Sequence, residues 1–168
     1  MVRKLGVSRI VSILFYNPLQ RVPEEILAEG TAIHNRLGFS GTTTYRRFYE
    51  FEGELYEIIG MPDRITEDGY VEELKTSSRE RVEKALEIGK TQANILCWLT
   101  GLRKYKVYVY SPREGKYLRI EEGVHDPLKC REDLEEGIRR IKWIESLYKQ
   151  EKMGTSTTME DFLKATNA

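Results

Sequence analysis

The sequence has little cysteine, no excess charge of either sign and no long apolar run. Two cysteines, Cys97 and Cys130, occur in 168 residues, and their spacing matches neither a zinc site nor a disulfide framework. Cys97 lies in the apolar run ANILCWL, so we expect a buried thiol there. Lysine and arginine total 27, as do aspartate and glutamate. This balance argues against a polycation that coats DNA but permits a local basic groove.

The apolar runs are also too short for a membrane protein. None approaches the ~20 residues of a membrane-spanning helix, and VSILFY near the N-terminus is too short for a signal peptide. We therefore expect a soluble, cytoplasmic protein that makes no membrane contact. A chain of this length can bury about 70% of its unfolded surface in one core. We predict a single domain over residues 1–150 and a flexible tail over 151–168.

Apolar periodicity and turn signals predict the element order α-α-β-β-β-α-β-β-α. Pro23 suits the first turn of the second helix, Gly38 suits its end, and Pro62 predicts a bend or bulge inside a strand. After the first helix, the predicted elements are a helix from Pro23 to Leu37, strands over 42–51, 55–65 and 70–77, a helix capped by Ser77 or Ser78 that ends near Leu102, strands over 104–112 and 116–122, and a helix over 133–150. This order predicts a mixed α/β fold, with helices against one mixed sheet.

The stretch GMPDRITEDGYVEELKTSS, residues 60–78, places an acid, a second acid and a lysine in one predicted hairpin. Side chains alternate along a strand, so Glu73 and Lys75 face one side while Glu72 faces the other. If the strands pair through the turn TEDG, Asp63 reaches the same end of the sheet as Glu73. One interpretation is a cross-strand salt bridge on a solvated hairpin.

The other interpretation is a metal site. The carboxylates of Asp63 and Glu73, with the carbonyl of Leu74, offer the hard oxygen ligands that Mg²⁺ or Mn²⁺ prefers. The ammonium of Lys75 would then stabilise the charge that builds on a phosphate.

The motifs resemble those of the PD-(D/E)XK nucleases in their RecB-like form. GMPD, nine residues and ELKTS follow the nuclease signature; EGTAIH resembles a Gly-x-x-x-His element; KTQANIL resembles the helix that carries a Gln-x-x-x-Tyr motif. SRIVSILFYNPLQ is similar to the opening of the CRISPR-associated RecB-like exonucleases, the Cas-four family. The resemblance extends over residues 8–150 and implies a restriction-endonuclease-like fold.

The resemblance also implies roles for single residues. Asp63 and Glu73 would ligate the metal, and Leu74 would do so through its carbonyl. His34 would be a further metal ligand. Lys75 would be the catalytic lysine, and Gln92 would assist Lys75 or contact the DNA.

The sequence departs from the family pattern in two ways. Leu96 stands where the Gln motif has tyrosine, which removes the stacking or hydrogen bonding expected there. The Cas-four enzymes hold an iron–sulfur cluster with four cysteines, and the two cysteines of this chain cannot build one. We therefore predict a minimal relative of archaeal or viral type without an iron–sulfur cluster.

The resemblance implies a metal-dependent DNA nuclease, an exonuclease on single-stranded DNA or DNA ends, in CRISPR adaptation, repair or viral DNA processing. A homo-oligomer is compatible with the sequence. The alternatives are a non-catalytic subunit that binds DNA ends or serves assembly, and a structure-specific endonuclease. Five cations flank the predicted site in sequence and are candidates for phosphate contacts, although each is as readily a solvated surface charge: Arg46, Arg47, Arg64, Arg79 and Lys84. His125 belongs to no motif and is expected in the loop before the last helix.

Overall fold

The computed structural model describes residues 1–17 and 24–152, of which 24–27 and 152 by their backbone alone. In this part of the chain, seven strands form two sheets. The elements are β1 (Val2–Gly6), α1 (Val7–Phe15), α2 (Glu24–Arg36), β2 (Tyr45–Phe51), β3 (Glu54–Gly60), β4 (Arg64–Ile65), β5 (Tyr70–Thr76), a 3₁₀ turn (Arg79–Arg81), α3 (Val82–Thr100), β6 (Lys104–Ser111), β7 (Lys116–Val124) and α4 (Pro127–Lys152).

Both sheets are mixed. The first has the order β1-β3-β2, in which β1 runs parallel to β3 and β2 antiparallel. The second has the order β4-β5-β6-β7, in which only β5 and β6 run parallel. Parallel neighbours need a crossover connection, and α3 supplies it between β5 and β6. The sequence predicts one mixed sheet, whereas the described strands form two.

The division into two sheets arises at Pro62. The prediction of one strand over 55–65 is wrong, because β3 ends at Gly60 and β4 begins at Arg64. The predicted bend at Pro62 is confirmed: proline has no N–H to donate to a ladder, so strand pairing stops there. Downstream of the break, β4 pairs with β5 through the turn after Ile65, as the turn signal predicted.

The N-terminal strand β1 was not predicted. Leu5 is its only buried side chain, so the sequence carries no period-two alternation to reveal the strand. Its partner is distant in sequence, since Leu5 is in register with Ile58 of β3. Pairing of that kind leaves no local signal.

The helices follow the predicted order with shifted ends. The end of α2 is as expected, because Gly38 takes the left-handed conformation with φ of +83°. The predicted serine cap is wrong: Ser78 makes no capping hydrogen bond from its side chain, and a 3₁₀ turn intervenes before α3. The last helix begins at Pro127 rather than at 133. Pro23 and residues 153–168 of the predicted tail lie outside the described residues.

Sheet β4-β5-β6-β7 lies between two apolar layers. On one face, Val107 and Val109 of β6 pack against α3. On the other face, Leu74 of β5 packs with Ile33 of α2 and with Phe39. The predicted site residues on β5, which are Glu73, Leu74 and Lys75, therefore lie on a strand that is covered on both faces.

The largest apolar cluster joins α1, α3 and α4 to sheet β1-β3-β2. Cys97, predicted to be buried, is 1% exposed, and Cys130 is buried with it. Burial raises the pKa of each thiol to about 12, so both remain protonated at neutral pH. Among the described helices, none is both long and apolar enough to cross a bilayer.

Candidate active site

Two backbone hydrogen bonds join the predicted carboxylates across the β4–β5 pair. The amide of Asp63 donates to Oε1 of Glu73 at 3.0 Å, and the amide of Leu74 donates to Oδ2 of Asp63 at 2.8 Å. The Glu73 carboxylate therefore accepts from the amide of Asp63, and the Asp63 carboxylate accepts from the amide that follows Glu73. Asp63 immediately precedes β4, where Arg64 is in register with Glu72, so this reciprocity follows from the antiparallel pairing.

Glu73 is an unusually costly side chain in this position. It is 0% exposed, and its Oε2 has no hydrogen-bond partner. Burial raises its pKa well above the usual glutamate value, and the charge of Asp63 raises it further, while Lys75 opposes both. A buried acceptor without a partner costs stability.

Lys75 projects to the same face as Glu73 and contacts α3. Its Nζ donates to Oε1 of Gln92 at 2.5 Å. The helix can approach this closely because residue 89 is glycine. A Cβ atom on Gly89 would lie 2.4 Å from Cγ1 of Val107 and 3.3 Å from Cγ of Lys75. The lysine stem is thus held between strand and helix, with its ammonium on the Gln92 amide.

His34 extends from α2 to the other end of the carboxylate pair. Its Nε2 lies 2.9 Å from the carbonyl oxygen of Leu74 and 3.3 Å from Oδ2 of Asp63, and its Nδ1 lies 2.8 Å from the carbonyl oxygen of Gly30. Carbonyl oxygens only accept, so this geometry suits an imidazolium that donates from both nitrogens. The hydrogen bond to Asp63 raises the pKa of His34 accordingly.

The structure thus brings all six predicted residues together, in two groups. The first group is linked by hydrogen bonds or close contacts and consists of Asp63, Glu73, His34 and the Leu74 carbonyl. The second group is Lys75, which follows Glu73 on the same face of β5, with its partner Gln92 on α3. Their catalytic and metal-binding roles stay predictions. Leu96, at the tyrosine position of the Gln motif, is buried in the core and offers no polar group to the site.

The opposite face of β5 holds a second polar group that sequence reasoning did not assign. Glu72 is 2% exposed and accepts from Nε of Arg64 at 2.6 Å and from the hydroxyl of Tyr108. The guanidinium of Arg64 lies 4.0 Å from the ring centroid of Phe39. The strand alternation predicted that Glu72 faces away from Glu73, and this is confirmed. Arg64 is its cross-strand neighbour in the same hairpin, whereas Tyr108 comes from β6, which local sequence does not reveal.

Gly41 is a further residue that sequence reasoning missed. A Cβ atom there would lie 1.9 Å from the carbonyl oxygen of Pro62 and 3.3 Å from that of Asp63. Only glycine permits the segment after α2 to pass this close to the strand break. The segment lines a cavity of about 240 Å³ that opens on Asp63 and Arg64.

The remaining flanking cations have partners within the chain. Arg46 pairs with Glu57 at 2.7 Å, and Arg79 pairs with Glu114 at 2.8 Å. Arg47 donates to the Trp98 carbonyl at 2.7 Å and lies over its ring. Lys84 lies 5.6 Å from the ring centroid of Tyr16.

His125 lies in the loop between β7 and α4, as expected, and its Nδ1 is 2.9 Å from Oδ1 of Asn94. Burial lowers the pKa of His125. Asn94 also accepts from the amide of Asp126, so this group anchors the loop to α3.

The chemistry of the donors fits a hard divalent cation in part. Two carboxylates and a carbonyl oxygen converge, and Oε2 of Glu73 is an unused acceptor. Across residues 1–17 and 24–152, however, no three histidine, cysteine, aspartate or glutamate side chains are grouped closely enough to form a metal shell by themselves. A cation here would also need the Leu74 carbonyl and water as ligands.

Comparison with known proteins shows the fold. No protein-family model matches the sequence, and no curated protein is significantly similar to it. A solved structure described as SSO0001 is 23% identical with a TM-score of 0.58, over 82% of this chain and 75% of that one. The predicted mixed α/β class, with helices against mixed sheets, is confirmed.

Two further solved structures are more distant. An alkaline exonuclease from Laribacter hongkongensis is 12% identical with a TM-score of 0.42, over 88% of this chain and 94% of that one. Rai1 from Scheffersomyces stipitis is 15% identical with a TM-score of 0.42, over 86% and 61%. Scores below 0.5 do not establish a shared fold.

The buried carboxylate predicts a pH-dependent gain in stability for Glu73→Gln. Because folding raises the pKa of Glu73, the folded state holds its proton more tightly than the unfolded state, and stability falls as pH rises above about 4, the usual range for glutamate. Glutamine removes this loss. In urea unfolding with EDTA, the variant should be more stable by about 1–3 kcal/mol at pH 7, and the difference should shrink towards pH 4.

The exposed Glu83→Gln is the control and should show no such trend, since Glu83 is 81% exposed. A Glu73→Gln difference that is constant with pH, or of opposite sign, would contradict the assigned cost.

The close approach at Gly41 predicts opposite effects for two alanine substitutions. Gly41→Ala should lower the free energy of unfolding by about 1–3 kcal/mol, because the backbone at Pro62 must shift. Gly30→Ala should raise it by about 0.5–1 kcal/mol, since Gly30 is inside α2 and a Cβ atom there meets open space. Thermal and urea unfolding test both. Equal stability of Gly41→Ala and the wild type would refute the contact.

Proposed function

We propose that this chain is a divalent-metal-dependent DNA nuclease that hydrolyses phosphodiester bonds, acting as an exonuclease on single-stranded DNA or DNA ends. The observation that carries the proposal is the buried, partnerless Oε2 of Glu73, aimed to the same face of β5 as the ammonium of Lys75. A salt bridge kept for stability would leave no acceptor unpaired. A carboxylate kept for a bound cation would.

In this proposal Asp63, Glu73 and the Leu74 carbonyl hold Mg²⁺ or Mn²⁺, with His34 as a further ligand. The bound cation supplies Lewis acidity to a phosphoryl oxygen and lowers the pKa of a water. As a ligand, His34 is neutral. Its Nδ1–H still donates to the Gly30 carbonyl, which supports the ligand role, and Nε2 offers its lone pair to the cation instead of donating to Leu74 and Asp63. Ligating histidines commonly donate their other nitrogen to a carbonyl in this way.

The protein groups that act on the substrate are Lys75 and Gln92. The amide of Gln92 holds the ammonium in place, so that Lys75 stabilises charge on the phosphate oxygens as the bond to the leaving oxygen breaks. Glu73 lies on the same face of β5, beside Lys75. No iron–sulfur cluster takes part in this proposal, because Cys97 and Cys130 are the only cysteines and both are buried thiols.

A non-catalytic subunit that binds DNA ends is the second candidate. The observation in its favour is that His34 already occupies the Leu74 carbonyl and approaches Asp63, as a cation in place of a metal. In that case Asp63, Glu73 and Lys75 would form a structural charge cluster. A structure-specific endonuclease would share the site of the first candidate and differ in the DNA it accepts.

Removal of Lys75 separates the candidates. With Mg²⁺ or Mn²⁺, the wild type should cleave end-labelled single-stranded DNA, and EDTA should abolish cleavage. Lys75→Ala should lose on the order of 10²–10⁴-fold in rate while it still binds the metal in calorimetry. Lys116→Ala, a change at an exposed lysine of β7, should cleave at the wild-type rate.

Equal rates for wild type and Lys75→Ala, at equal foldedness, would refute the role of Lys75. Wild-type protein that fails to cleave with every divalent metal tested would favour the non-catalytic subunit.

The proposed ligand role of His34 predicts an activity loss that metal can reverse. His34→Ala should raise the Mn²⁺ concentration needed for half-maximal cleavage by about 10–100-fold, with a near-normal rate at saturation, because lost affinity is offset by concentration. A metal titration of cleavage with wild type and variant measures this. An unchanged titration midpoint would show that His34 only braces Leu74 and Asp63.

A further inference from the structure

A groove of about 410 Å³ opens where β5 ends and α3 begins. Two of its lining residues are cations, and none of the lining residues in the described part of the chain is acidic. The two cations are Arg81 and Lys84. The other lining side chains bear hydroxyls or are aromatic or aliphatic: Tyr16, Thr76, Ser77, Ser78, Ala85 and Ile88. This composition suits a ligand that carries negative charge together with flat apolar surface.

None of the neighbouring acids Glu80, Glu83 and Glu87 lines the groove. Arg81 and Lys84 are three residues apart, so both face the groove from one side of the helix start. Glu83 lies on another side, where its carboxylate accepts from Arg119 at 2.6 Å. A cationic strip of this kind attracts a phosphate backbone.

Tyr16 supplies a flat surface at the groove wall. Its side chain is 50% exposed, although large aromatic residues are mostly buried. The ammonium of Lys84 lies 5.6 Å from its ring centroid, which holds the ring beside the cations. An exposed aromatic ring next to lysine and arginine is the arrangement on which bases of single strands stack, because unpaired bases have free faces and paired bases do not.

The groove adjoins the proposed catalytic lysine along two elements. Thr76, in its wall, follows Lys75 directly on β5. Ile88, also in its wall, precedes Gly89, where a Cβ atom would lie 3.3 Å from Cγ of Lys75. A single strand of nucleic acid bound in the groove would therefore reach the end of the site where Lys75 lies.

We propose that this groove, which we call the Tyr16 groove, binds single-stranded DNA on its way to the active site. Arg81 and Lys84 contact successive phosphates, and one base stacks on Tyr16. The inference that the DNA is on its way to an active site rests on the proposed nuclease function. The binding of single-stranded DNA itself requires neither metal nor cleavage. The two can therefore fail separately.

The first test measures the salt dependence of binding in EDTA. Fluorescence anisotropy with labelled oligothymidylate of about 15 nucleotides gives the affinity over a series of salt concentrations. Each phosphate contact contributes about 0.7 to the slope of log affinity against log salt for a single strand, so Arg81→Ala/Lys84→Ala should lower the slope by about 1.4. The control Lys116→Ala/Arg131→Ala removes the same charge from exposed positions elsewhere and should keep the slope.

The second test examines stacking. Tyr16→Ala should weaken binding about fivefold or more, while Tyr16→Phe keeps the ring and should bind like the wild type. Phe48→Ala, at a 59% exposed ring on the edge strand β2, is the matched control and should change nothing. Circular dichroism melts show that each variant is folded.

Three outcomes contradict the proposal. If Arg81→Ala/Lys84→Ala keeps the wild-type slope, or if the wild type does not bind the single strand, the Tyr16 groove is not the binding site. If a duplex of the same sequence binds more tightly and Tyr16→Ala has no effect, the assignment to single strands is wrong. Binding as expected without metal-dependent cleavage would instead refute the nuclease function and retain the groove.

Discussion

The pair of hydrogen bonds that joins Asp63 to the Glu73 carboxylate and to the Leu74 amide is the constraint on which the site depends. Pro62 stops strand pairing and releases the chain from β3, and the Asp63 amide then binds the Glu73 carboxylate while the Leu74 amide binds Asp63. One break thereby ends one sheet, starts the next and fixes two carboxylates side by side. A shift of β4 by one residue would turn Asp63 to the other face and lose both bonds.

The neighbouring residue reinforces this register from the opposite face. Arg64 is held against Glu72 and over the ring of Phe39, so it cannot turn inward. Because side chains alternate along a strand, an anchored Arg64 obliges Asp63 to face Glu73. The Arg64–Glu72 pair therefore positions the carboxylates, which gives Glu72, with no place in the catalytic scheme, a reason to be buried.

Local sequence predicted those parts of the structure that local physics determines. The opposite facing of Glu72 and Glu73, the bend at Pro62 and the helix end at Gly38 each follow from one strand period, one missing N–H or one left-handed φ. It did not predict β1, the separation into two sheets, or the position of Gly41 against Pro62. These depend on contacts between segments far apart in the chain, where a residue's own neighbours carry no information on its partner.

The same distinction applies to the site. Spacing alone grouped Asp63, Glu73 and Lys75, because a hairpin brings them together whatever the rest of the chain does. The close packing of the site depends on two glycines that belong to no motif. Gly41 lets its segment approach the strand break at Pro62, and Gly89 lets α3 approach Lys75. Each removes a side chain where the backbone must approach, and so each holds one half of the site. Asp63 is thus positioned by the contact at Gly41 and Lys75 by the contact at Gly89. The two contacts are independent, and Glu73 on β5 is the residue that connects them.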